Sequence, residues 1–486
     1  MVAVLRLIGT AFVLQGPAWS NPAPIIVSVP EPVIVPRADH PISRRDIDPD
    51  ALRVLYRLQQ NRHAAYLVGG SVRDLLLGRR PKDFDIGTDA HPYQIKRLFR
   101  NCWIIGRRFR LAHIKFGLKT VEVATFRKNV PDPPADLPPE DAVLVASAAP
   151  EPKSQTTETP AATADPTAAM IHRDNTFGTP EEDAFRRDFT INGLFYDIST
   201  YSIIDYVGGL ADLERRVIRS IGDPHVRFVE DPVRMVRAAV FAARLGFDMD
   251  ELVLEAIARH RALILKASPS RLLEEYFKIL RSGYAEASFR ALGRVRLLEL
   301  ITPELTHPSD AVWDSLAALD RYRQPFPVAP PELTNTVLIG ALLVPLGVLD
   351  RRPTSADRSE QPHQERVGFG MLQVAKKDLE RLRHLGMMVP RMLDVDLPPR
   401  VVRGMVHRPS FADALTWLQI FGESRDAVDR WKLAASERHA HPPQSTDHGA
   451  PPDHAAAEHP PRRRRRRRRR GGRGRGGEGP RRPDGE

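Results

Sequence analysis

The sequence predicts an α+β fold, with strands and helices mixed in the N-terminal half and helices alone in the C-terminal half. Residues 66–68 form a short apolar run that stops at two glycines and is followed by helical spacing, which is typical of a strand, a turn and a helix start. Residues 110–126 alternate between polar and apolar, as a β-hairpin does. Residues 251–301 and several later segments show only helical periodicity.

The other elements follow in chain order. Asp48 as an N-cap with Pro49 at the first helical position predicts a helix beneath the strand at 66–68. Apolar spacing and composition predict a flexible Pro- and Val-rich lead-in at 21–45, a short helix at 91–99, strands at 202–207 and 217–221, a helix from 230 to 244, a fresh helix start at Arg271, and helices at 333–348, 374–385 and 411–435, with a loop at 350–365.

Charge is distributed unevenly along the 486 residues, which are enough for two or more domains. Lys and Arg number 72 against 61 Asp and Glu, and residues 441–486 alone hold 13 Arg and six acidic residues. Nine of these arginines are consecutive, at 462–470. This distribution favours a polyanionic partner, above all nucleic acid, over a tail that is basic only for solubility.

The single cysteine, Cys102, excludes a disulfide framework and a cysteine zinc site, and it fits a reducing compartment. Residues 2–19 resemble a weak secretory signal, but Arg6 interrupts the apolar run, so we expect an unprocessed extension or a misassigned start. No segment is long and apolar enough to span a bilayer, so we expect no stable membrane insertion. The reducing compartment that a single cysteine fits is expected to be the cytoplasm.

A glycine turn followed by two aspartates carries the clearest chemical signal. Gly69 and Gly70 let the backbone approach a ligand, and the helix start favours an anion within reach of Arg73. Asp83 and Asp85 are two residues apart in an extended segment, so both carboxylates should project from one face and share a magnesium ion. Either half alone is more simply a turn or a surface loop, but together they predict phosphoryl or nucleotidyl transfer.

Two further segments offer charged groups to this site. Glu122 lies among apolar residues of a hairpin strand and is either a third metal ligand or an exposed residue of an edge strand. In 181–192, Arg187 could hold phosphate oxygens with its planar fork, although composition alone favours an ordinary helix face with i,i+4 charge pairs.

Residues 230–244 open with a capping pattern that has two interpretations. Asp231 is a sound N-cap before Pro232, and Arg234 and Arg237 share one helix face. A carboxylate and a guanidinium at these positions could also bond the edge of a nucleotide base. The residues alone do not separate the two interpretations.

Taken in order, several segments resemble the class II nucleotidyltransferases, a family that contains bacterial poly(A) polymerases and CCA-adding tRNA nucleotidyltransferases. The segments are 67–88, 121–127, 181–192, 205–213 and 230–238. GRRFRLAHI at 106–114 is similar to the element that marks the poly(A) polymerase branch. The resemblance covers residues 42–305, and the later helices only weakly.

The resemblance implies a polymerase-beta-like nucleotidyltransferase head followed by an all-α neck, body and tail. Composition predicts a flexible extension at 1–41, a disordered insertion at 128–170 and a disordered arginine-rich tail at 441–486. The resemblance implies the head at 42–205, which contains this insertion, a neck for nucleotide-base and RNA binding at 206–305, and a helical RNA-binding body and tail at 306–440. The insertion is unusual for the family, as are Ser71 and Val240, the latter at a position where arginine is common.

The resemblance also implies residue roles. It makes Asp83, Asp85 and Asp188 catalytic, with Asp83, Asp85 and Glu122 as ligands of two magnesium ions, and Gly69, Gly70, Arg73, Arg187, Asp231, Arg234 and Arg237 as nucleotide contacts. From its charge, the tail, including Arg462, Arg463, Arg464, Arg465 and Arg466, is expected to contact RNA phosphates.

The expected activity is template-independent addition of AMP from ATP to RNA 3′ ends, with mRNA or small, decaying RNAs as substrates and RNA-decay machinery as a possible partner. One alternative is CCA addition to tRNA, and GRRFRLAHI and the arginine tail favour the first activity. A second alternative is a non-catalytic RNA-binding or annealing protein, against which Asp83, Asp85 and Glu122 argue.

Overall fold

The computed structural model describes residues 11–13, 26–28, 31–106, 110–117, 119–128, 177–350 and 369–440. Residues 129–170 of the predicted insertion, most of the predicted loop at 350–365 and the tail 441–486 lie outside the described residues. The chain divides into a compact unit of Met1–Ser436 and a second unit of Glu437–Glu486. The expected boundaries between head, neck and body fall inside the first unit and remain predictions.

A mixed sheet organises the N-terminal half of the first unit. The strands are β1 (Ala11–Val13), β2 (Ile26–Ser28), β3 (Val33–Val35), β4 (Ala65–Val68), β5 (Ile86–Thr88), β6 (Cys102–Ile105), β7 (Leu111–Phe116), β8 (Lys119–Thr125), β9 (Leu194–Asp197), β10 (Ser202–Asp205), β11 (Val217–Ile218) and β12 (Asp248–Met249). Eight of them form a sheet in the order β3–β10–β9–β4–β5–β8–β7–β6. Within the described part of this sheet, β5 and β8 pair in parallel and the other neighbours are antiparallel.

Helices pack against the sheet and are the main elements of the C-terminal half of the described chain. They are α1 (Pro49–Gln60), α2 (Gly70–Leu76), α3 (Pro92–Leu98), α4 (Pro180–Phe185), α5 (Gly209–Arg215), α6 (Pro224–Glu230), α7 (Val233–Leu245), α8 (Glu251–His260), α9 (Pro269–Leu280), α10 (Ala285–Arg294), α11 (Leu298–Ile301), α12 (Asp310–Arg323), α13 (Asn335–Leu343), α14 (Lys376–Leu393), α15 (Pro399–Val406), α16 (Phe411–Phe421) and α17 (Arg425–Ala440). A mixed sheet followed by helices confirms the predicted α+β class.

The two faces of the sheet are covered differently. Alternation along β7 and β8 buries Ala112, Ile114 and Val123 in the main core, where they meet residues of α1 and α3. On the opposite face, Val68 and Phe195 belong to a smaller cluster of buried residues around β4 and β9. The site residues described below lie on this second face.

The predicted strand, turn and helix at the organising motif are present. β4 ends at Val68, Gly69 adopts φ +68°, and α2 begins at Gly70. Asp48 caps α1 as expected, because its Oδ1 accepts a hydrogen bond from the Asp50 N–H at 2.9 Å. These local signals fix where β4 and α2 meet and where α1 begins.

The apolar stripe predicted after Arg271 faces the core of the helical half. Leu272, Tyr276 and Leu280 of α9 are fully buried, and the Tyr276 hydroxyl is 2.8 Å from Thr302 Oγ1. Within the described residues, no helix is long and apolar enough to cross a membrane.

Several expectations are wrong in detail. Part of the expected flexible extension pairs with the sheet, since β3 lies beside β10 and Ile42 is buried. Three residues are too few to show alternation, which is why the pattern missed β3. The sequence patterns also missed β6, β9, α12 and α15, and the helix expected at 411–435 is two helices separated at Gly422.

The capping prediction at the start of α7 needs a one-residue shift. Pro232 occupies the N-cap position and Val233 is the first helical residue. Asp231 still accepts a hydrogen bond from the Val233 N–H, at 3.2 Å, so its carboxylate caps the helix from one position further out.

Candidate active site

Gly69 makes the turn that brings Arg187 against the backbone. A Cβ at this position would lie 2.7 Å from Arg187 Nη1, and the positive φ disfavours any other residue. The Gly69 N–H donates to the Leu194 carbonyl at 2.9 Å, which ties the turn to β9. The glycine is therefore required by the guanidinium beside it and by the backbone angle.

Arg73 lies beneath the turn and is almost fully buried. Its Nε and Nη2 donate to Asp74 Oδ1 at 2.9 and 2.7 Å, and its Nη1 donates to Asn192 Oδ1 at 2.6 Å. A Cβ on Gly70 would be 3.5 Å from this guanidinium. Arg73 thus supports Gly70 and orients Asn192, and a direct contact with nucleotide remains a prediction.

Arg187 is held by Asp183, four residues earlier. Its Nη2 and Nε donate to Asp183 Oδ2 at 2.9 and 3.2 Å, and its Nη1 donates to the Asn192 carbonyl at 3.2 Å. Burial alone would raise the pKa of Asp183, but Arg187 and Arg186 outweigh burial and lower it. The i,i+4 pairing that composition favoured is present, and it fixes the guanidinium beside Gly69.

Strand register places Asp85 next to Glu122. Asp85 directly precedes β5, where Ile86 pairs in parallel with Val123, the residue after Glu122. Both carboxylates therefore project from the face opposite the buried Ile86 and Val123.

The pKa of Asp85 reports the crowding of like charges. Burial, then Glu122, then Asp83 raise it to about 6, while Arg187 and Lys82 act in the opposite direction. Asp85 is exposed as a whole residue, but neighbouring atoms still remove part of the hydration of its carboxylate, and this burial is the largest cause of the raised pKa. The sequence-predicted acidic residues thus form one electrostatic cluster beside Arg187.

The other two carboxylates of this cluster, Asp83 and Glu122, each lie near a basic side chain. Glu122 Oε1 lies 3.4 Å from His113 Nε2, and Asp83 Oδ2 lies 3.5 Å from Lys82 Nζ. Across the residues the structure describes, no three His, Cys, Asp or Glu side chains converge closely enough to hold a metal ion.

The chemistry of these donors nevertheless fits a hard divalent cation. All three are carboxylates, and burial first, then Glu122 and Asp83, raise the pKa of Asp85 and so disfavour its charged form. A divalent cation bound by these oxygens would favour the charged form.

Asp188 is held in a contrasting environment at the junction with α7. Arg237 Nε and Nη2 bond its Oδ2 at 2.7 and 2.6 Å, and Asn192 Nδ2 and the Phe189 N–H donate to its Oδ1 at 3.0 and 2.9 Å. Burial acts to raise its pKa, but Arg237 and Asn192 prevail and lower it to about 2. Asp188 is therefore a fixed anion that locks Arg237 and Asn192 in place.

The predicted base-reading residues each have a protein partner. Asp231 Oδ2 accepts from Arg271 Nη2 at 2.7 Å. Arg234 Nη1 donates to Glu230 Oε2 and to the Arg227 carbonyl, both at 2.9 Å. Arg271 therefore holds Asp231, and Glu230 and the Arg227 carbonyl hold Arg234. Base recognition by Asp231 and Arg234 remains a prediction.

Sequence reasoning underestimated two residues. Asn192 links Arg73, Arg187 and Asp188 through three separate atoms, a role that the sequence patterns did not predict. Arg227 was not considered, yet its Nη2 donates to the carbonyls of Arg186 and Arg187 at 2.7 Å each. No pattern in the sequence set Asn192 apart from other polar residues. Arg227 lies three residues before Glu230, with which it pairs at 2.7 Å, but its bonds to backbone carbonyls leave no trace in the sequence.

Comparison with known proteins identifies the matching segments. Residues 65–219 match the family model described as the poly A polymerase head domain, and residues 246–307 match "Probable RNA and SrmB- binding site of polymerase A". Arg462–Arg466 lie outside both matches and outside the described residues.

Relatives support the same family. The chain is 44% identical over 280 residues to poly(A) polymerase I of Escherichia coli O157:H7, which covers 58% of this chain and 55% of that protein. It is 33% identical over 249 residues to a CCA-adding enzyme of Bacillus pumilus, which covers 51% of this chain and 54% of that protein. The chain therefore spans about half the length of the curated relatives it matches.

Among solved structures, the CCA-adding enzyme of Bacillus stearothermophilus in complex with CTP matches with a TM-score of 0.51 and 23% identity, over 81% of this chain and 83% of that one. The sheet and the helices that follow it therefore share the fold of that solved structure. The match of residues 65–219 to the head-domain model and the relatives at 44% and 33% identity confirm the predicted resemblance to class II nucleotidyltransferases.

Proposed function

We propose that this chain is a template-independent polynucleotide adenylyltransferase that adds AMP from ATP to RNA 3′ ends. The observation that carries the proposal is the carboxylate cluster around Asp85, beside the Gly69 turn and Arg187, inside the segment that matches the poly A polymerase head domain. The pairing of an acidic cluster with a fixed guanidinium suits a reaction in which phosphate charge is redistributed.

The residues around the turn would seat the nucleotide. Arg187 presents a planar guanidinium at the glycine backbone, where it can bond a phosphate oxygen bidentately. Asp183 and Asn192 keep this group oriented, so little ordering is left for the moment of binding. In the reaction, the RNA 3′ oxygen bonds to the α-phosphorus of ATP as the bond from that phosphorus to the pyrophosphate oxygen breaks.

The acidic residues would hold magnesium. Asp83, Asp85 and Glu122 supply the carboxylates, and two bound magnesium ions would lower the pKa of the 3′-hydroxyl and stabilise the pyrophosphate leaving group. The raised pKa of Asp85 supports this assignment, because its neighbours already disfavour an unbalanced negative charge there.

Base selection would depend on the residues at the start of α7. Asp231 and Arg234 lie on either side of Pro232 and are held by Arg271 and Glu230. Their polar edges would read adenine once these contacts rearrange, with Arg237 nearby as an anchor on Asp188. Binding of a base would therefore require Asp231 and Arg234 to give up their present hydrogen bonds to Arg271 and Glu230.

CCA addition to tRNA is the nearest rival activity. The higher identity to poly(A) polymerase I, 44% against 33%, supports adenylate addition over it. The two activities differ in product, since a CCA-adding enzyme stops after three nucleotides and requires CTP.

A non-catalytic RNA-binding or annealing role is the rival from another class. It predicts that Asp83→Ala leaves every RNA-linked activity unchanged. The clustering of Asp83 with Asp85 and Glu122 argues against it, because a binding protein gains nothing from crowded carboxylates that repel RNA.

A primer-extension experiment tests the proposal. Purified protein, magnesium and a labelled RNA primer unrelated to tRNA are given each nucleoside triphosphate separately. We expect a long ladder with ATP and little extension with CTP. Extension with CTP equal to that with ATP would contradict the assignment.

We further infer a cytoplasmic setting, where ATP is available, with a role in mRNA processing or decay alongside RNA-decay proteins. The arginine run at 462–470 would hold RNA near the site and raise its effective concentration. Removing residues 441–486 should then weaken RNA binding in a salt-dependent manner and leave the KM for ATP unchanged.

A further inference from the structure

A row of side chains crosses the open face of the sheet from the acidic cluster to its edge. Trp103 on β6 pairs with His113 on β7, and His113 pairs with Glu122 on β8. Residues directly opposite each other share one face, so Trp103, His113 and Glu122 lie on the same side as Asp85. The 3.4 Å contact between His113 and Glu122 confirms this alignment.

Trp103 ends this row as an exposed aromatic side chain. It is 51% exposed, while its neighbour Cys102 is buried on the other face. Lys115, two residues beyond His113 on the same face, places its Nζ 5.3 Å from the centre of the Trp103 ring. The pair therefore offers a flat apolar surface with a cation beside it.

The segment that contains Trp103 is basic in sequence. Residues 91–119 contain eight Lys and Arg and no Asp or Glu. Arg110, which directly precedes β7, and Lys115 are both exposed. An anionic polymer is the complementary partner for an aromatic surface in such a segment, whereas an acidic or apolar protein surface would leave either the ring or the cations unmatched.

The distance along the row matches a short length of nucleic acid. β6, β7, β8 and β5 are consecutive neighbours, so three strand spacings of about 4.8 Å separate Trp103 from Asp85, or about 14 Å. At about 3.4 Å for each stacked nucleotide, this span corresponds to roughly four nucleotides.

We propose that Trp103 and Lys115 form a binding site for the RNA primer, in which Trp103 stacks on a base about four nucleotides from the 3′ end that is positioned at Asp85. The inference rests on the proposed function for the identity of the RNA. Stacking on an aromatic ring tolerates any base, so the site fixes the primer's path without selecting its sequence.

The experiment compares primers that reach the site with primers that do not. Fluorescence anisotropy measures the Kd of labelled oligoadenylates of two and ten nucleotides for the full chain, for Trp103→Ala and for Trp103→Phe. Tyr93→Ala is the matched control, because Tyr93 is also an exposed aromatic near the edge strand but lies on α3, outside the row. Primer extension then gives the KM for ATP and for each RNA.

We expect Trp103→Ala to raise the Kd and the RNA KM of the ten-nucleotide primer about tenfold, in line with the loss of one base–aromatic stack. The dinucleotide constants and the ATP KM should stay unchanged, Trp103→Phe should restore most of the affinity, and Tyr93→Ala should match the parent protein. Lys115→Ala should weaken the same primer more at low salt than at high salt.

Two results would overturn the inference: an unchanged Kd of Trp103→Ala for the ten-nucleotide primer, or an equal loss for both primer lengths. Failure of the proposed function is distinguishable from either result. If the parent protein binds RNA but does not extend it with ATP, adenylate addition is wrong, and a length-dependent loss in Trp103→Ala still supports the RNA site.

Discussion

Asp85 and Asp188, two aspartates expected to be catalytic, occupy opposite electrostatic environments. Asp85 sits among like charges in an open cleft, and burial together with Glu122 and Asp83 raises its pKa to about 6. Asp188 is enclosed, and Arg237 and Asn192 lower its pKa to about 2. Asp85 is therefore a carboxylate crowded by like charges, whereas Asp188 is already neutralised by the protein and positions its neighbours.

The sharpest test of this difference is Asp85→Asn. AMP incorporation should fall about a thousandfold if Asp85 binds magnesium as proposed, because losing such a ligand removes several kcal/mol of transition-state stabilisation. The free energy of unfolding at pH 7 should stay the same or rise, since the change removes a carboxylate that its neighbours repel. Primer extension and urea unfolding measure the two effects. Asp89→Asn, an exposed residue paired with His63, is the control and should leave both unchanged.

For Asp188→Ala we expect the reverse balance, with a loss of stability as the main effect. Arg237 would lose its partner, and we expect the free energy of unfolding to fall by about 3 kcal/mol. This value is at the lower end for breaking a buried ion pair, because Arg237 is partly exposed and Glu275, 4.0 Å away, is a second acidic neighbour. Urea denaturation measures this loss. The double variant Asp188→Ala/Arg237→Ala should lose less than the sum of the two single variants, and strict additivity would contradict the pairing.

The same pair also makes a pH prediction. Because the pKa of Asp188 is lowered in the folded state, its stabilisation is present above its ordinary value near 4 and is lost as pH falls toward 2. The stability difference between the parent protein and Asp188→Asn should therefore be constant from pH 5 to 7 and shrink below pH 4. A difference that persists at pH 2 would show that the charge of Asp188 is not its source.

Gly69→Ala tests the position of the Arg187 guanidinium beside the glycine turn. A Cβ would displace Arg187, and strain at positive φ adds to this, so we expect a loss of about 1–3 kcal/mol in stability and a clear rise in the KM for ATP. Gly78→Ala has a similar φ of +66° with open space around the new Cβ, so it isolates the strain. If both variants raise the KM equally, the position of Arg187 is not responsible.

The smallest expected effect concerns magnesium and the pKa of Asp85. Because the pKa of Asp85 is raised in the folded state, protonation of Asp85 stabilises the folded protein. This stabilisation is fully present below about pH 4 and is lost as pH rises through about 6. Magnesium should therefore raise the Tm more at pH 7 than at pH 5, by an amount equivalent to less than about 1 kcal/mol because the carboxylate is exposed. Asp85→Asn should abolish the shift, and a shift that survives this change would indicate another binding site.

The local motifs were predictable because their signals are contained in short segments. The strand, the glycine turn and the cap at Asp48 follow from backbone preferences, and the hairpin follows from strict alternation. The nearness of Glu122 to Asp85 was expected only from their presence in one predicted sheet. The parallel pairing of β5 with β8, which joins residues far apart in sequence, provides it.

Long-range polar contacts could not be predicted from the sequence. Asp188 and Arg237 are 49 residues apart, and no periodicity relates them. Arg227 bonds carbonyl oxygens, which every residue carries, so composition contains no trace of that contact. The short strands β3 and β9 were missed because neighbouring strands, more than their own pattern, stabilise them.

The pairing of β3 with β10 has a practical consequence for shortened versions of this protein. β10 would become an edge strand if the chain began at residue 42, and its unpaired N–H and C=O groups could then recruit a strand from another molecule. Trimming that stops before Val33 keeps this protective strand. A truncation series analysed by light scattering would show self-association beginning once β3 is removed.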